Sequence, residues 1–154
     1  MRDNIESNHL IFISSDGKRE GYEIFKERIN NNSWPIYNKT PQSINIQKGK
    51  KVLFYIAGTN NFSQNFIASA SISNIINQKT TTVDPNQEFK QVLFSVQFKD
   101  INYFEKPLNI KEHINNLSFI EPDKRKIYGL YFQGGICKIN KQSYDYIINN
   151  TSKN

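Results

Sequence analysis

The stretch GKKVLFYIAGT at residues 49–59, followed by NFIASASI at 65–72, decides the fold. Residues 52–57 are a continuous run of apolar, strand-forming residues, which predicts a buried strand. After a turn at 58–61, polar and apolar residues alternate from 65 to 76, as they do in a strand with one buried face. Two neighbouring strands in the middle of the chain predict a domain built on a sheet.

More strands are predicted on either side of this pair. Residues 9–14 and 89–104 are rich in strand formers. Within the second segment Phe94, Val96 and Phe98 share one face, because side chains alternate along a strand. Residues 127–132 and 136–139 predict a hairpin around the Gly-Gly pair between them.

Helical spacing of apolar residues predicts the remaining elements. In the helix at 21–30, Tyr22, Phe25 and Ile29 face inward and Arg28 lies on the solvent face. A second helix is predicted at 142–149. We further expect a short helix or turn at 107–117, an exposed loop at 77–88 and a basic loop at 124–126. The fold class is therefore α+β, a small and strongly bent mixed sheet or pseudo-barrel of five to six strands with peripheral helices.

Length and charge set the broad class of the protein. The chain has 154 residues, a net charge of +6 and a pI near 9.3. We expect a flexible N-terminus at 1–8, a single domain at 9–149 and a C-terminal tail at 150–154. No acidic residue lies between Glu27 and Asp84, whereas six basic residues do. A field of one sign favours an anionic partner such as nucleic acid, although a solvated surface without a partner would have the same composition.

Several kinds of chemistry lack the residues they need. A single cysteine, Cys137, supports neither a disulfide framework nor a zinc site, and we expect a buried core thiol. The two histidines, His9 and His113, have no ligand partners at usual spacings, so we expect no metal and no cofactor. No segment reads as a signal peptide or membrane span, which predicts a cytoplasmic protein without a membrane partner.

Trp34 is the only tryptophan, and it lies in the acid-free zone together with Tyr37. Large aromatic side chains usually belong to the core. A tryptophan beside lysines is, however, also what a base-stacking site requires, because every base has a π-face. The residues alone leave both interpretations open.

Six motifs follow one another along the chain: WPIYN at 34–38, GKKVLFY at 49–55, IASASI at 67–72, VQF at 96–98, KPLNI at 106–110 and FQGGICKI at 132–139. Their order resembles the EVE domain of the PUA-like superfamily, whose relatives include YTH and SRA domains, over about residues 9–148. The chain departs from the usual EVE pattern at four places. Phe12 stands where a tryptophan is usual and Ala68 where a glycine is usual, residues 35–38 contain no arginine, and residues 56–59 lack the usual His-Ser pair.

The resemblance implies a reader that captures a flipped and modified base, methylated or hydroxymethylated, from DNA or RNA in an aromatic pocket. It implies Trp34 as one wall of this pocket and Phe98 as the second. Such a pocket requires the indole of Trp34 to line an open cleft. The candidates for bonds to the base edge are Asn32, Ser33, Tyr37, Asn38 and Thr59, and those for phosphate contacts are Lys39, Lys48, Lys50 and Lys51.

Two other classes of function stay open beside the reader. An enzyme that modifies RNA or accompanies a nuclease would need an acid–base pair, for which Glu121 and Asp123 beside Pro122 are the nearest approach in the sequence. An interaction module would instead hold a peptide or small ligand in the pocket. Loss of salt-sensitive binding in Trp34→Ala, with the fold intact, would favour the reader.

Overall fold

The computed structural model describes residues 9–15, 19–37, 40, 45–59, 61–83 and 91–151. The predicted N-terminal segment at 1–8 lies outside these residues. The strands are β1 (His9–Ser14), β2 (Trp34–Tyr37), β3 (Lys51–Ile56), β4 (Asn65–Val83), β5 (Gln91–Asn109) and β6 (Ile136–Ile139). The α-helices are α1 (Gly21–Asn31), α2 (Ile110–His113) and α3 (Lys141–Thr151), and 3-10 helices cover Ile114–Asn116 and Pro122–Phe132.

All six strands form one mixed sheet in the order β2-β5-β4-β3-β1-β6. Only β1 and β3 run parallel, and every other pair is antiparallel. The long pair β4–β5 shifts register at four places, and extra residues of this kind bend a sheet and increase its twist. The predicted class, an α+β fold with a strongly bent mixed sheet and peripheral helices, is confirmed.

The sheet has a core on each face because successive side chains of a strand point to opposite sides. Along β3, Phe54 joins the cluster beneath α1, whereas Tyr55 joins the cluster beneath α3 and Pro122–Phe132, which we call the 3-10 segment. Both rings are buried. The predicted shared face of Phe94, Val96 and Phe98 is confirmed, since all three pack in the cluster beneath α1.

Helix α1 fits closely against the sheet at its start. A Cβ added at Gly21 would stand 2.7 Å from the carbonyl oxygen of Ser14, so only glycine allows this approach. The hydroxyl of Ser14 donates a 2.5 Å hydrogen bond to the Gly21 carbonyl. One expectation for α1 is wrong: Arg28 is only 7% exposed and lies at the sheet, not on the solvent face.

Two predicted segments take a different conformation. Residues 77–83 continue β4 and are not a loop, because β5 pairs with the strand as far as Val83. Residues 122–132 form two 3-10 helices that begin at Pro122 and are separated by a kink at Ile127, so the predicted hairpin and the basic loop at 124–126 are absent. The predicted strand partner of β6 is replaced by β1, with Ile11 opposite Cys137. Helix α3 continues to Thr151, beyond the predicted end at 149.

Candidate functional site

Trp34 opens the short edge strand β2 and faces the core cluster beneath α1. Its side chain is 2% exposed and that of Phe98 is 3% exposed. The two predicted pocket walls are therefore neighbours, but both are buried. The expectation of an open cleft at the indole of Trp34 is not met, because other aromatic rings cover it.

The space between Trp34 and Phe98 is occupied. Their ring centroids are 6.1 Å apart with the planes at 86°, an edge-to-face contact. The rings of Phe12 and Phe54 each lie within about 6 Å of both. A base stacked between two walls needs parallel faces about 7 Å apart, twice the optimal carbon–carbon separation. In this arrangement the pair stabilises the core and leaves no slot for a base.

Arg28 covers the indole from the side of the helix. Its guanidinium carbon lies 5.0 Å from the ring centroid of Trp34, within the range of a cation–π contact. The sequence gives no sign of this contact, because the helical pattern assigns Arg28 to the polar face. A buried cation on the tryptophan face is the feature of this site that sequence reasoning missed.

Asn32 joins the end of α1 to β5. The residue is left-handed, with φ 47°, and the amides of Asn32 and Ser33 bond the carbonyls of Ile29 and Arg28, which ends the helix in a Schellman motif. The side-chain oxygen of Asn32 accepts a 2.8 Å bond from the Phe98 amide, and its nitrogen donates to the Phe98 carbonyl at 3.4 Å. These bonds position the chain entering β2.

The other candidates for the base edge are scattered. Ser33 is exposed beside Asn32, and Tyr37 is half-buried, with its amide donating to the Thr40 hydroxyl. Thr59 is exposed beyond the far end of β3. Lys51 and Ile56, the two ends of β3, are five residues apart, about 17 Å, and Thr59 lies beyond Ile56, so it does not join the others. Asn38, like the phosphate candidate Lys39, lies outside the described residues.

The lysines at the start of β3 lie at the same end of the sheet as Phe98. The amide of Ile72 donates to the Lys50 carbonyl, and Ile72 is opposite Phe98. One residue further along β3, Lys51 pairs with Ser71 of β4, and Ser71 pairs with Lys99 of β5. Lys48 and Lys51 are exposed and Lys50 is half-buried. The structure thus brings three of the four phosphate candidates to one sheet end, and adds Lys99.

His9 shares this end of the sheet, since Leu10 of β1 pairs with Val52 of β3. Its ring lies 4.3 Å from that of Tyr144, between the centroids. Burial lowers the pKa of His9, and the positive charges of Lys50 and Lys51 lower it further. On α3, Asp145 opposes this effect and Lys141 adds to it. The pKa of His9 therefore reflects burial first and the lysine charges second.

Other residues singled out from the sequence lie apart from this end. Burial raises the pKa of the Cys137 thiol to about 12, as expected of a core cysteine. Glu121 is exposed and pairs with Lys124 at 3.5 Å. Among the described residues no group of three His, Cys, Asp or Glu side chains could hold a metal. The described helices include none long and apolar enough to cross a membrane.

The family model for the EVE domain matches residues 14–150. No curated protein matches the chain.

Three solved structures have a similar fold. Protein Atu2648 of Agrobacterium tumefaciens superimposes with a TM-score of 0.58 at 13% identity, over 94% of this chain and 93% of its own. Rpa0253 of Rhodopseudomonas palustris gives 0.56 at 10% identity, over 93% and 92%. Human THYN1, solved in complex with DNA containing 5-methylcytosine, gives 0.56 at 14% identity, over 96% and 99%. At identities this low, the likeness shows a shared fold and nothing more.

Proposed function

Because this chain belongs to the EVE domain family, we propose that it is a nucleic-acid-binding module without enzymatic activity, which reads a modified base. The match over residues 14–150 carries the proposal. Human THYN1, whose structure contains DNA with 5-methylcytosine, supports DNA as one ligand of this fold. RNA is the alternative polymer, and we place the module in the cytoplasm as part of the same proposal.

The lysines at the sheet end would supply the contacts to phosphate. Two of these lysines, Lys48 and Lys50, lie in the turn before β3, and Lys51 is its first residue. Lys99 lies two strands away, about 10 Å across the sheet. We call these four residues the lysine row. Successive phosphates of one strand are spaced by several ångströms, so the row can contact more than one of them. Such contacts position the polymer without reading its sequence.

Capture of a base by Trp34 and Phe98 is the more demanding part of the proposal. The cluster would have to open, with the Arg28 guanidinium leaving the indole face and Phe98 turning from its edge-to-face contact. A base could then replace the guanidinium on the same π-surface. Extrusion of a base costs a few kcal/mol and is cheapest from single strands, so unpaired targets are favoured.

A binding screen tests the proposal. Oligonucleotides of one sequence carry 5-methylcytosine, 5-hydroxymethylcytosine, a methylated adenine or no modification, in single-stranded and duplex forms. We expect salt-sensitive binding that is tighter for one modification than for its unmodified control. Equal affinity for all of them would contradict a reader, and absence of binding would contradict nucleic-acid function altogether.

Glu121 and Asp123 separate this proposal from an enzyme. Both side chains are exposed, and the nearest cation to Glu121 is Lys124 of the same 3-10 segment. We expect Glu121→Gln and Asp123→Asn to bind the preferred oligonucleotide as the unsubstituted protein does and to leave the oligonucleotide chemically unchanged. Turnover of the bound strand that either substitution abolishes would favour the enzyme.

A further inference from the structure

Three aromatic rings are presented at the surface around the start of α1. Tyr103 on β5 is 58% exposed and Phe62, between β3 and β4, is 46% exposed. Tyr22 of α1 lies against Phe62, with ring centroids 4.6 Å apart. We call Tyr22, Phe62 and Tyr103 the aromatic platform.

The platform rests on the buried core. Phe25, which is fully buried, lies 6.1 Å from Tyr103 in an edge-to-face contact and 6.4 Å from Tyr22. The same ring contacts Phe54 at 5.2 Å inside the sheet. The exposed rings are therefore held in place from behind, and a ligand that stacks on them would not have to order them first.

Phe62 has an unusual backbone conformation for a bulky residue. Its φ is 60°, and that of Gln64 is 63°, so two residues of one short turn are left-handed without glycine. This region is unfavourable for residues with a large side chain. Strain of this kind collects at functional sites. The turn keeps the phenyl ring of Phe62 partly in solvent, against the ring of Tyr22.

We propose that the aromatic platform is a stacking site for an unpaired base of the bound nucleic acid, outside the Trp34–Phe98 cluster. This inference rests on the proposed nucleic-acid function. Tyr103 is opposite Ala68, which pairs with Phe54, three residues or about 10 Å along β3 from Lys51 but on the other face of the sheet. Phe62 and Tyr22 lie toward the far end of β3, so a strand that contacts both the platform and the lysines would have to extend over several nucleotides.

The surface offers the aromatic faces and polar groups that stacking of a base requires. Two of the three rings carry a hydroxyl, and the Lys26 ammonium lies 4.9 Å from the centroid of Tyr22. Stacking on such rings tolerates any sequence, because it uses the face of the base. The platform would thus add affinity for single strands, while selection of a modification would occur elsewhere.

Substitution of Tyr103 tests the platform directly. The probe is a labelled single strand of about 10 nucleotides, the length that one binding domain can cover. We expect Tyr103→Ala and Phe62→Ala to weaken binding roughly tenfold each, the loss expected for one stacked base. Tyr103→Phe should bind as the unsubstituted protein does. Leu130→Ala is the matched control, because Leu130 is 54% exposed on the 3-10 segment.

An abasic probe separates stacking from charge. A strand of the same length with its bases removed keeps every phosphate, so Tyr103→Ala should not change its affinity. If Tyr103→Ala and Phe62→Ala bind the complete strand as tightly as the unsubstituted protein, the platform is overturned while nucleic-acid binding stands. If the unsubstituted protein binds no strand, the proposed function fails first. Unchanged circular dichroism of each variant is the control for folding.

Discussion

At the scale of single residues, burial decides what a substitution can reveal. Trp34 contacts Phe12, Phe25, Phe54 and Phe98 and is 2% exposed. Its removal therefore changes the core together with any contact to a base. A loss of binding in Trp34→Ala could come from the damaged core or from a lost contact to a base. A useful substitution therefore has to leave the packing of the core in place.

We expect Trp34→Ala to lower the free energy of unfolding by about 3–5 kcal/mol, the usual cost of removing a large buried aromatic side chain. Trp34→Phe keeps a ring in the cluster and should cost clearly less. Urea unfolding followed by circular dichroism measures both. An alanine variant as stable as the unsubstituted protein would show that the indole is not packed as described.

Asn32 allows a cleaner substitution. Glycine adopts the left-handed conformation at no steric cost, so Asn32→Gly removes only the two side-chain bonds to Phe98. We expect a loss of about 1–2 kcal/mol in unfolding free energy. Asn32→Ala should cost about 1 kcal/mol more, because alanine is strained at φ 47°. Equal losses in urea unfolding would contradict the role of the backbone conformation.

At the scale of elements, the residue patterns predicted those helices and strands whose formation depends on residues close together in sequence. The apolar run of β3, the alternation at the start of β4 and the spacing of α1 all correspond to observed elements. The hairpin predicted at 127–139 failed because the partner of β6 is β1, more than 120 residues earlier. Periodicity along the chain carries no information about a partner so distant. Pro122, a residue that suits the first turn of a helix, was the missed sign of the 3-10 segment.

The candidate site was predicted in the same uneven way. The pairing of Trp34 with Phe98 was predicted from the resemblance to a family, not from the pattern of either strand. Their burial depends on Phe12 from β1, Phe25 from α1 and Phe54 from β3. Three elements distant in sequence had to meet there, which no local pattern describes.

The free energy of unfolding is expected to depend on pH through His9, which is partly buried and which the pairing of β1 with β3 brings near Lys50 and Lys51. The pKa of His9 is lowered in the folded protein, by burial first and then by Lys50 and Lys51. The unfolded chain therefore binds more protons below its pKa of about 6.5, and stability falls as the pH drops through that value. We expect His9→Gln to flatten this dependence in urea unfolding between about pH 7.5 and 5.5. A slope that does not change would contradict the coupling.

At the scale of the whole molecule, the net charge of +6 acts mainly through its distribution. Lysines from the turn before β3 and from β5 meet at one end of the sheet, and His9 of β1 lies beside them. A phosphate bound by Lys50 and Lys51 would oppose their effect on the pKa of the imidazole. Affinity for nucleic acid is therefore expected to rise as the pH falls toward 6, in opposition to the stability of the free protein.

We expect the double substitution Lys50→Gln and Lys51→Gln to weaken binding of all sequences to a similar extent. The slope of log affinity against log salt should fall by about 2, one unit for each lost phosphate contact. Lys124→Gln with Lys126→Gln is the matched control, because it removes the same charge from the 3-10 segment. Fluorescence anisotropy at several salt concentrations measures both slopes, and equal slopes would disprove the lysine row.

The position of β1 between β3 and β6 has a consequence for synthesis on the ribosome. While the chain emerges, β1 can pair with β3 early, but its other edge has no partner until residue 139 has left the exit tunnel. An unpaired strand edge is a template for association with other chains. The nascent protein therefore has to protect this edge until β6 has emerged, and we expect a chain released before β6 to associate through β1.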